Sequence, residues 1–230
     1  FFWALAGYIV LLILSEDRPK LWILFGGVVG LGLLNKYSIG FMIVGLVAGL
    51  LLTKQRKQLA TKWFWIGAMV AGALFLPHVI WQVANNFPSF EFMRNASQNK
   101  NVSLSAFEFF MGQFRDMNFL NASIWLSGVV FFFLFRDGRY RPLAWMYPVV
   151  FIVMIATNAK VYYLSPIYPL FLAGGSVVFE RWFQMFRWRW AKPIYVCLLI
   201  VLTLITLPFA LPVLPVDRFV EYEKLLGLAP

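Results

Sequence analysis

The sequence predicts an all-α fold, a polytopic transmembrane helix bundle with about eight spans, and three observations support this prediction. Of the 230 residues, 61% are hydrophobic and only 13% are charged, whereas soluble domains average about 45–50% apolar and 25% charged residues. The apolar residues fall in long runs. Lysines and arginines fall in short clusters between these runs. This pattern excludes a soluble enzyme, a nucleic-acid-binding module and a disordered regulator.

Eight apolar runs are candidates for the spans, because a bilayer core of about 30 Å needs about 20 helical residues. In chain order these runs are residues 1–14, 21–34, 39–52, 63–83, 119–135, 143–157, 161–179 and 194–214. The second and third runs, joined as one helix, would measure roughly 48 Å, which is too long for one span. We therefore predict a hairpin that is broken at residues 35–38.

The runs predict a transmembrane bundle over residues 1–215 and the start of a C-terminal extracytoplasmic segment at residues 216–230. Phe1 already lies in an apolar run, and no basic segment precedes it. We therefore interpret this run as a span and not as a signal peptide, and we expect the chain to be an internal piece of a longer protein. The single cysteine, Cys197, lies inside an apolar run, which excludes a disulfide or a thiolate metal site within this chain.

The net charge of +10 is interpreted as an orientation signal and not as a nucleic-acid-binding surface. One set of alternate loops carries 13 of the 20 lysines and arginines, with clusters at residues 54–62 and 181–192. Because loops rich in lysine and arginine stay on the cytoplasmic side, we predict that this set is cytoplasmic. The other set, which includes a long loop at residues 84–118, is then extracytoplasmic.

The long loop at residues 84–118 contains a predicted helix. Ser105 and Glu108 have the spacing of a capping box, and apolar side chains follow at helical spacing at Phe107, Phe110, Met111 and Phe114. Two interpretations remain open. The helix lies flat in the outer membrane interface, or it only covers the bundle.

Lys36 and Lys160 are the main candidates for a binding site, because each falls at the outer end of two adjoining spans. Each lysine also has tyrosines nearby, Tyr37 for the first and Tyr162 and Tyr163 for the second. Ammonium and phenol groups together suit an anionic headgroup such as a lipid phosphate. The alternative is that each isolated lysine merely extends to the membrane interface.

His78 lies about two helical turns before Asn85, and a histidine inside a membrane is a functional candidate. A hydrogen bond to a backbone carbonyl freed by Pro77 would explain it structurally, and we favour that explanation. With one histidine in the chain, a histidine-based metal site is not supported. The apolar runs contain no aspartate or glutamate, so neither an acid–base pair nor a proton relay is visible.

Two pairs of glycines have the small-xxx-small spacing of helix-packing contacts in membranes. Gly26 and Gly30 form one pair, and Gly45 and Gly49 form the other. We predict that these glycines lie against neighbouring helices and do not form a phosphate-binding loop.

Three segments resemble polyprenyl-phosphate-dependent glycosyltransferases of family 39. Residues 30–37, GLGLLNKY, resemble the family's GLGLLTKY segment, with Asn35 where relatives often have threonine. Residues 76–82, LPHVIWQ, followed by residues 86–92, NFPSFEF, are also similar. Residues 160–169, KVYYLSPIYP, resemble the pattern K-x-Y-Y-x-x-P-x-Y-P. The family includes aminoarabinose transferases of lipid A and protein O-mannosyltransferases.

The resemblance implies a GT-C fold with a catalytic cavity on the extracytoplasmic side, in a multi-pass protein of the bacterial inner (plasma) membrane that acts in cell-envelope glycosylation. The donor would be a sugar on a polyprenyl phosphate, and the acceptor a lipid, a glycan or a protein. No metal or other cofactor is expected. The catalytic base is an acidic residue of the first outer loop, which the resemblance places before Phe1.

The resemblance and the residue chemistry together predict a set of site residues. The predicted ligands of the lipid phosphate are Lys36, Tyr37, Lys160, Tyr162 and Tyr163, with Arg94 and Arg115 closing over the headgroup. Further predicted cavity residues are His78, Trp81, Asn86 and Glu91. Two alternatives remain: a transporter or flippase for a lipid-linked or anionic solute, and a non-catalytic membrane scaffold. An inverted repeat would favour the transporter, and none is detectable in this sequence.

Overall fold

The computed structural model describes residues 1–99, 104–185 and 190–226, and all the regular structure in these ranges is helical. The α-helices are α1 (Phe2–Glu16), α2 (Leu21–Asn35), α3 (Ile39–Leu51), α4 (Lys62–Ala84), α5 (Pro88–Asn99), α6 (Ala106–Met117), α7 (Phe119–Leu134), α8 (Arg141–Ala156), α9 (Tyr168–Met185), α10 (Ala191–Ala210) and α11 (Val216–Leu225). Two 3₁₀ segments, Lys54–Ala60 and Val161–Ile167, precede α4 and α9. The predicted all-α fold is confirmed.

Each of the eight predicted runs contains one helix, but the predicted number of eight spans is not confirmed. In the described ranges, only Lys62–Ala84, Val161–Met185 and Ala191–Ala210 are long and apolar enough to cross a membrane. Two pairs of helices, bent by 116° and 113°, would raise this number to five if each pair were one span. The shorter apolar helices fall below this length, since 15 residues measure only about 22 Å along the axis.

The chain divides into two units, Phe1–Phe179 and Glu180–Pro230. The first unit has a core of large buried side chains, which includes Trp22, Phe109, Trp125, Tyr168 and Phe171. In the second unit, Tyr222 of α11 donates a hydrogen bond to the carbonyl of Ile205 in α10 at 2.7 Å. The predicted division at residue 215 stays a prediction. Parts of the predicted loops and of the predicted C-terminal segment lie outside the described residues, namely residues 100–103, 186–189 and 227–230.

The glycine pairs make the close helix contacts that their spacing predicts. A Cβ atom on Gly26 of α2 would lie 1.9 Å from the carbonyl oxygen of Gly67 in α4, and one on Gly30 would lie 3.1 Å from the Cα of Ala71. Likewise, a Cβ atom on Gly49 of α3 would lie 2.2 Å from the carbonyl oxygen of Pro142 in α8. Only glycine permits this approach of α2 to α4 and of α3 to α8.

Helix α6 has the predicted capping box, in which Ser105 and Glu108 exchange hydrogen bonds through both side chains. The buried face of this helix differs from the predicted one, since it consists of Phe109, Gly112 and Gln113, whereas Phe107 is 72% exposed. This face packs on the 3₁₀ segment Val161–Ile167 and on α7. Helix α6 therefore covers part of the bundle, and its predicted position in the membrane interface stays a prediction.

Candidate functional site

A sharp break between α2 and α3 forms one wall of the candidate site. Helix α2 ends at Asn35, and Lys36 adopts an extended backbone conformation while its N–H still bonds to the carbonyl of Gly32 at 2.8 Å. Helix α3 begins at Ile39. The predicted break at residues 35–38 is therefore confirmed, and it leaves the side chains of Lys36 and Tyr37 exposed between the two helices.

A cavity of about 660 Å³ opens at this break. It also contains side chains from the end of α4, the beginning of α5 and the 3₁₀ segment before α9. Its polar and aromatic lining comprises Asn35, Lys36, Tyr37, Ser38, Phe41, His78, Trp81, Ser89, Phe92 and Tyr163, and the remaining lining residues are Leu33, Leu34, Pro88 and Met93. Five of the predicted site residues therefore share one cavity.

The Lys36 ammonium faces two aromatic rings that are distant in the sequence. Its nitrogen lies 5.2 Å from the centre of the Tyr163 ring and 6.0 Å from the centre of the Tyr162 ring. The two rings meet edge to face, with their centres 4.8 Å apart. An ammonium over aromatic faces is attracted by the ring quadrupoles, so these tyrosines hold the Lys36 charge at the cavity.

The hydroxyl of Tyr37 belongs to a polar cluster with His78, Gln82 and Ser89. It contacts the His78 Nε2 closely, and it lies 3.0 Å from the Ser89 Oγ. The amide of the buried Gln82 donates to the Tyr37 hydroxyl at 3.1 Å and also contacts Ser89. In place of the predicted hydrogen bond to a carbonyl freed by Pro77, the His78 Nε2 contacts the Tyr37 hydroxyl and the Gln82 amide.

One arrangement of hydrogen atoms satisfies this cluster. The two amide hydrogens of Gln82 go to Ser89 and to Tyr37, and the Tyr37 hydroxyl donates to the His78 Nε2. In this arrangement the other ring nitrogen of His78 carries the proton, an assignment that rests on the network and not on observed hydrogens. The side-chain oxygen of Gln82, Oε1, also accepts a hydrogen bond from the Ser89 backbone N–H at 3.2 Å. The buried side-chain amide of Gln82 therefore ties the first turn of α5 to α4.

The turn between α4 and α5 brings Ser89 back towards Tyr37. Asn86 and Phe87 both have positive φ angles, 59° and 56°, and the Phe87 N–H donates a hydrogen bond to the backbone carbonyl of Gln82 at 2.7 Å. Left-handed residues at a helix end reverse the chain in this way. Asn86 is therefore a residue of this turn and not of the cavity lining.

The other predicted site residues lie outside the cavity lining. Lys160 is exposed and precedes the 3₁₀ segment, and it forms no ion pair with any residue in the described ranges. Glu91 and Arg94 are exposed on α5, and Arg115 on α6 faces Asp116 at 3.5 Å. The structure thus brings Lys36 to the tyrosines that follow Lys160, but it does not bring Lys160 into the same cavity.

Sequence reasoning did not select Gln82 and Ser89 as site residues, although both fall in the segment that carries the family resemblance. The signal was present for Gln82, because it lies one helical turn after His78 and so on the same face of α4. For Ser89 there was no comparable signal, since its position depends on the turn at Asn86 and Phe87. In the described ranges, no group of three or more His, Cys, Asp or Glu residues could hold a metal ion.

The apolar helices define an α-helical integral membrane protein, and the cavity at the break between α2 and α3 combines one cation, Lys36, with polar, aromatic and apolar side chains. Residues 1–81 match the family model described as dolichyl-phosphate-mannose-protein mannosyltransferase. The match includes Lys36, Tyr37, His78 and Trp81, and over these residues it confirms the resemblance to a GT-C glycosyltransferase family. No curated protein and no solved structure matches the chain.

Proposed function

We propose that the protein is a membrane glycosyltransferase that moves a sugar from a polyprenyl phosphate to a lipid, glycan or protein acceptor on the extracytoplasmic side. The observation that carries the proposal is the position of the Lys36 ammonium, which lines the cavity beside Tyr37 and Tyr163. The family match over residues 1–81 supports the same chemistry, because its description names a sugar donor linked to a polyprenyl phosphate.

In this reaction, the bond between the anomeric carbon and the phosphate oxygen breaks, and its electron pair stays on the phosphate. The acceptor oxygen forms the new bond to the anomeric carbon and loses its proton to a base. The resemblance implies that this base is an acidic residue of an outer loop. The role of Lys36 is electrostatic, because a fixed cation stabilises the charge that develops on the leaving phosphate more in the transition state than in the ground state.

The rest of the cavity suits the other parts of such a donor. Apolar side chains of α2, α3 and α5 line it, among them Leu33, Phe41, Phe92 and Met93, and these offer contacts to a prenyl chain. The Tyr37 hydroxyl is positioned at the cavity by Gln82 and His78. To donate to a phosphate oxygen, this hydroxyl exchanges its hydrogen bond to the His78 Nε2 for one to the phosphate, without a change of position. We therefore propose Lys36 and Tyr37 as phosphate ligands, with Tyr162 and Tyr163 holding the lysine.

The test compares polyprenyl phosphate with polyprenol, which lacks the phosphate, as ligands of the purified protein. We expect Lys36→Ala to weaken polyprenyl phosphate binding by about tenfold or more, since charge-assisted hydrogen bonds contribute about 1.5–3 kcal/mol. Polyprenol binding should not change. Lys20→Ala is the matched control, because the Lys20 ammonium also lies over an aromatic ring, that of Trp63, at 5.7 Å, but outside the cavity.

In a transfer assay with a sugar-linked polyprenyl phosphate, Lys36→Ala should lower turnover about 10²–10³-fold. Lys36→Arg should restore only part of it, because the planar guanidinium differs from a compact ammonium. Lys160→Ala should have a smaller effect, since Lys160 lies outside the cavity lining. Unchanged turnover per folded molecule in Lys36→Ala would exclude the proposed role, and movement of the lipid-linked substrate across proteoliposomes without sugar transfer would favour the transporter.

A further inference from the structure

A second polar cleft lies at the other end of α3 from the Lys36 cavity. Helix α3 begins next to Ser38 and ends at Leu51, so its 13 residues separate the two sites by about 20 Å along the axis. The cleft has a volume of about 530 Å³ and is formed by the 3₁₀ segment after α3 and the loop between α7 and α8. Neither the family resemblance nor the proposed reaction uses it.

The lining of this cleft is strongly basic. It includes Lys54, Arg56, Arg136 and Arg141, together with a single carboxylate, Asp137. None of these four cations forms an ion pair within the ranges that the structure describes. Four like charges that share a cleft repel one another, so an anion bound between them would relieve this repulsion.

The carboxylate of Asp137 is already engaged and does not neutralise the cleft. It forms a salt bridge with the guanidinium of Arg139, and it also accepts the backbone N–H of Arg139 at 3.1 Å. The side-chain hydrogen bond from Arg139 lowers the pKa of Asp137. The same guanidinium donates to the carbonyl of Ser15 at 3.0 Å, so the Asp137–Arg139 pair is tied to the end of α1.

Local backbone geometry holds the arginine at the start of α8 in place. Gly138 has a φ of +68°, which non-glycine residues rarely adopt, and a Cβ atom there would lie 3.2 Å from the Arg141 Nε. The Arg141 side chain also donates to the carbonyl of Phe133 at 3.1 Å. On the other side, the Thr53 hydroxyl accepts the N–H of Gln55 at 3.3 Å and caps the segment that carries Lys54.

Exposed apolar side chains lie next to the basic groups. Leu51 and Leu52 are each 58% exposed, and Trp145 is also exposed; all three line the cleft. A basic cleft with an apolar rim at the end of a membrane helix matches a lipid whose phosphate meets the cations while its chains follow the apolar side chains. A water-soluble phosphate would gain nothing from this rim.

We propose that this cleft binds the phosphate of an anionic membrane lipid, with Lys54, Arg56, Arg136 and Arg141 as its ligands. The site is separate from the Lys36 cavity, so the lipid is neither the sugar donor nor the acceptor. Binding there links the 3₁₀ segment after α3 to the loop before α8, and it neutralises the repulsion between the cations.

Native mass spectrometry of the purified chain in detergent tests the proposal with dioleoylphosphatidylglycerol, dioleoylphosphatidylcholine and inorganic phosphate as probes. We expect the phosphatidylglycerol to bind more tightly than the phosphatidylcholine. Lys54→Gln and Arg136→Gln should each lower its association constant about five- to tenfold, since each removes a charge-assisted hydrogen bond. Lys57→Gln is the matched control, because Lys57 lies in the same 3₁₀ segment but does not line the cleft.

Equal weakening by Lys57→Gln would overturn the proposal, because it would indicate general charge attraction and not a built site. Equal affinity for the two phospholipids would also overturn it. Millimolar inorganic phosphate could also displace the phosphatidylglycerol from the unaltered protein and bind neither cleft variant. That result would overturn the lipid as the ligand and identify a soluble phosphate instead. Circular dichroism of each variant verifies its folding. If Lys36→Ala left turnover unchanged in the transfer assay, the proposed function would fail, but the lipid-binding result for this cleft would stand.

Discussion

The ammonium of Lys36 lies over the ring of Tyr163, 5.2 Å from its centre. Lys36 belongs to the break between α2 and α3, whereas Tyr163 belongs to the 3₁₀ segment that precedes α9. The contact joins two segments that separately resemble the same family, and only the first of them falls within the match over residues 1–81. It is therefore the packing of the bundle that brings the second segment to the cavity.

This contact predicts that the ring of Tyr163 matters more than its hydroxyl. We expect Tyr163→Leu to weaken polyprenyl phosphate binding about two- to fivefold, because a partly exposed cation–π contact contributes about 0.5–1 kcal/mol. Tyr163→Phe keeps the ring and should weaken binding less. Titration of both variants with polyprenyl phosphate measures the difference, and equal losses would show that the hydroxyl, and not the ring, supports the site.

The polar cluster around Tyr37 predicts a stability effect. Tyr37→Phe removes the hydroxyl that His78, Gln82 and Ser89 share, so the buried Gln82 amide loses an acceptor. We expect the free energy of unfolding to fall by about 1 kcal/mol, measured by thermal unfolding in detergent. Tyr8→Phe on α1 is the control: Tyr8 is 56% exposed, and a comparable loss there would argue against the cluster.

Two adjacent glycines of α2 predict opposite effects of the same substitution. A Cβ atom on Gly26 would collide with the backbone of Gly67, whereas one on Gly27 would meet nothing within 4 Å. Gly26→Ala should therefore destabilise the protein by about 1–3 kcal/mol. Gly27→Ala should stabilise it by about 0.5–1 kcal/mol, because alanine favours a helix interior. Thermal unfolding of the two variants in one detergent gives the comparison, and equal shifts would contradict the close contact of α2 and α4.

The length of α4 predicts that its two ends lie on opposite sides of the membrane. Its 23 residues measure about 34 Å, which is enough for a bilayer core of about 30 Å. Single cysteines at Lys57→Cys and Arg94→Cys, in a Cys197→Ser background because Cys197 is exposed, report on the two sides. An impermeant maleimide applied to intact cells should label only the Arg94→Cys variant, and labelling of both variants would contradict the crossing.

The features that could be predicted from the sequence are those with local causes. Apolar runs predicted the positions of α1 to α4 and of α7 to α10, whereas α5 and α11 lie outside these runs. The polar residues 35–38 predicted the break that separates α2 from α3. The capping box at Ser105 and Glu108 depends on a spacing of three residues, and the contacts of Gly26 and Gly30 depend on one face of one helix. Each of these signals lies within a few residues, so it is readable without knowledge of the fold.

The tertiary structure decided which residues belong to the site. Lys36 and Lys160 looked equivalent in the sequence, since each follows a span and has tyrosines nearby, yet only Lys36 lines the cavity. His78 was expected to bond to the backbone and instead contacts Tyr37. Whether two such side chains meet depends on how α2, α4 and the 3₁₀ segment pack, and packing depends on the shapes of surfaces contributed by residues that are far apart in the chain.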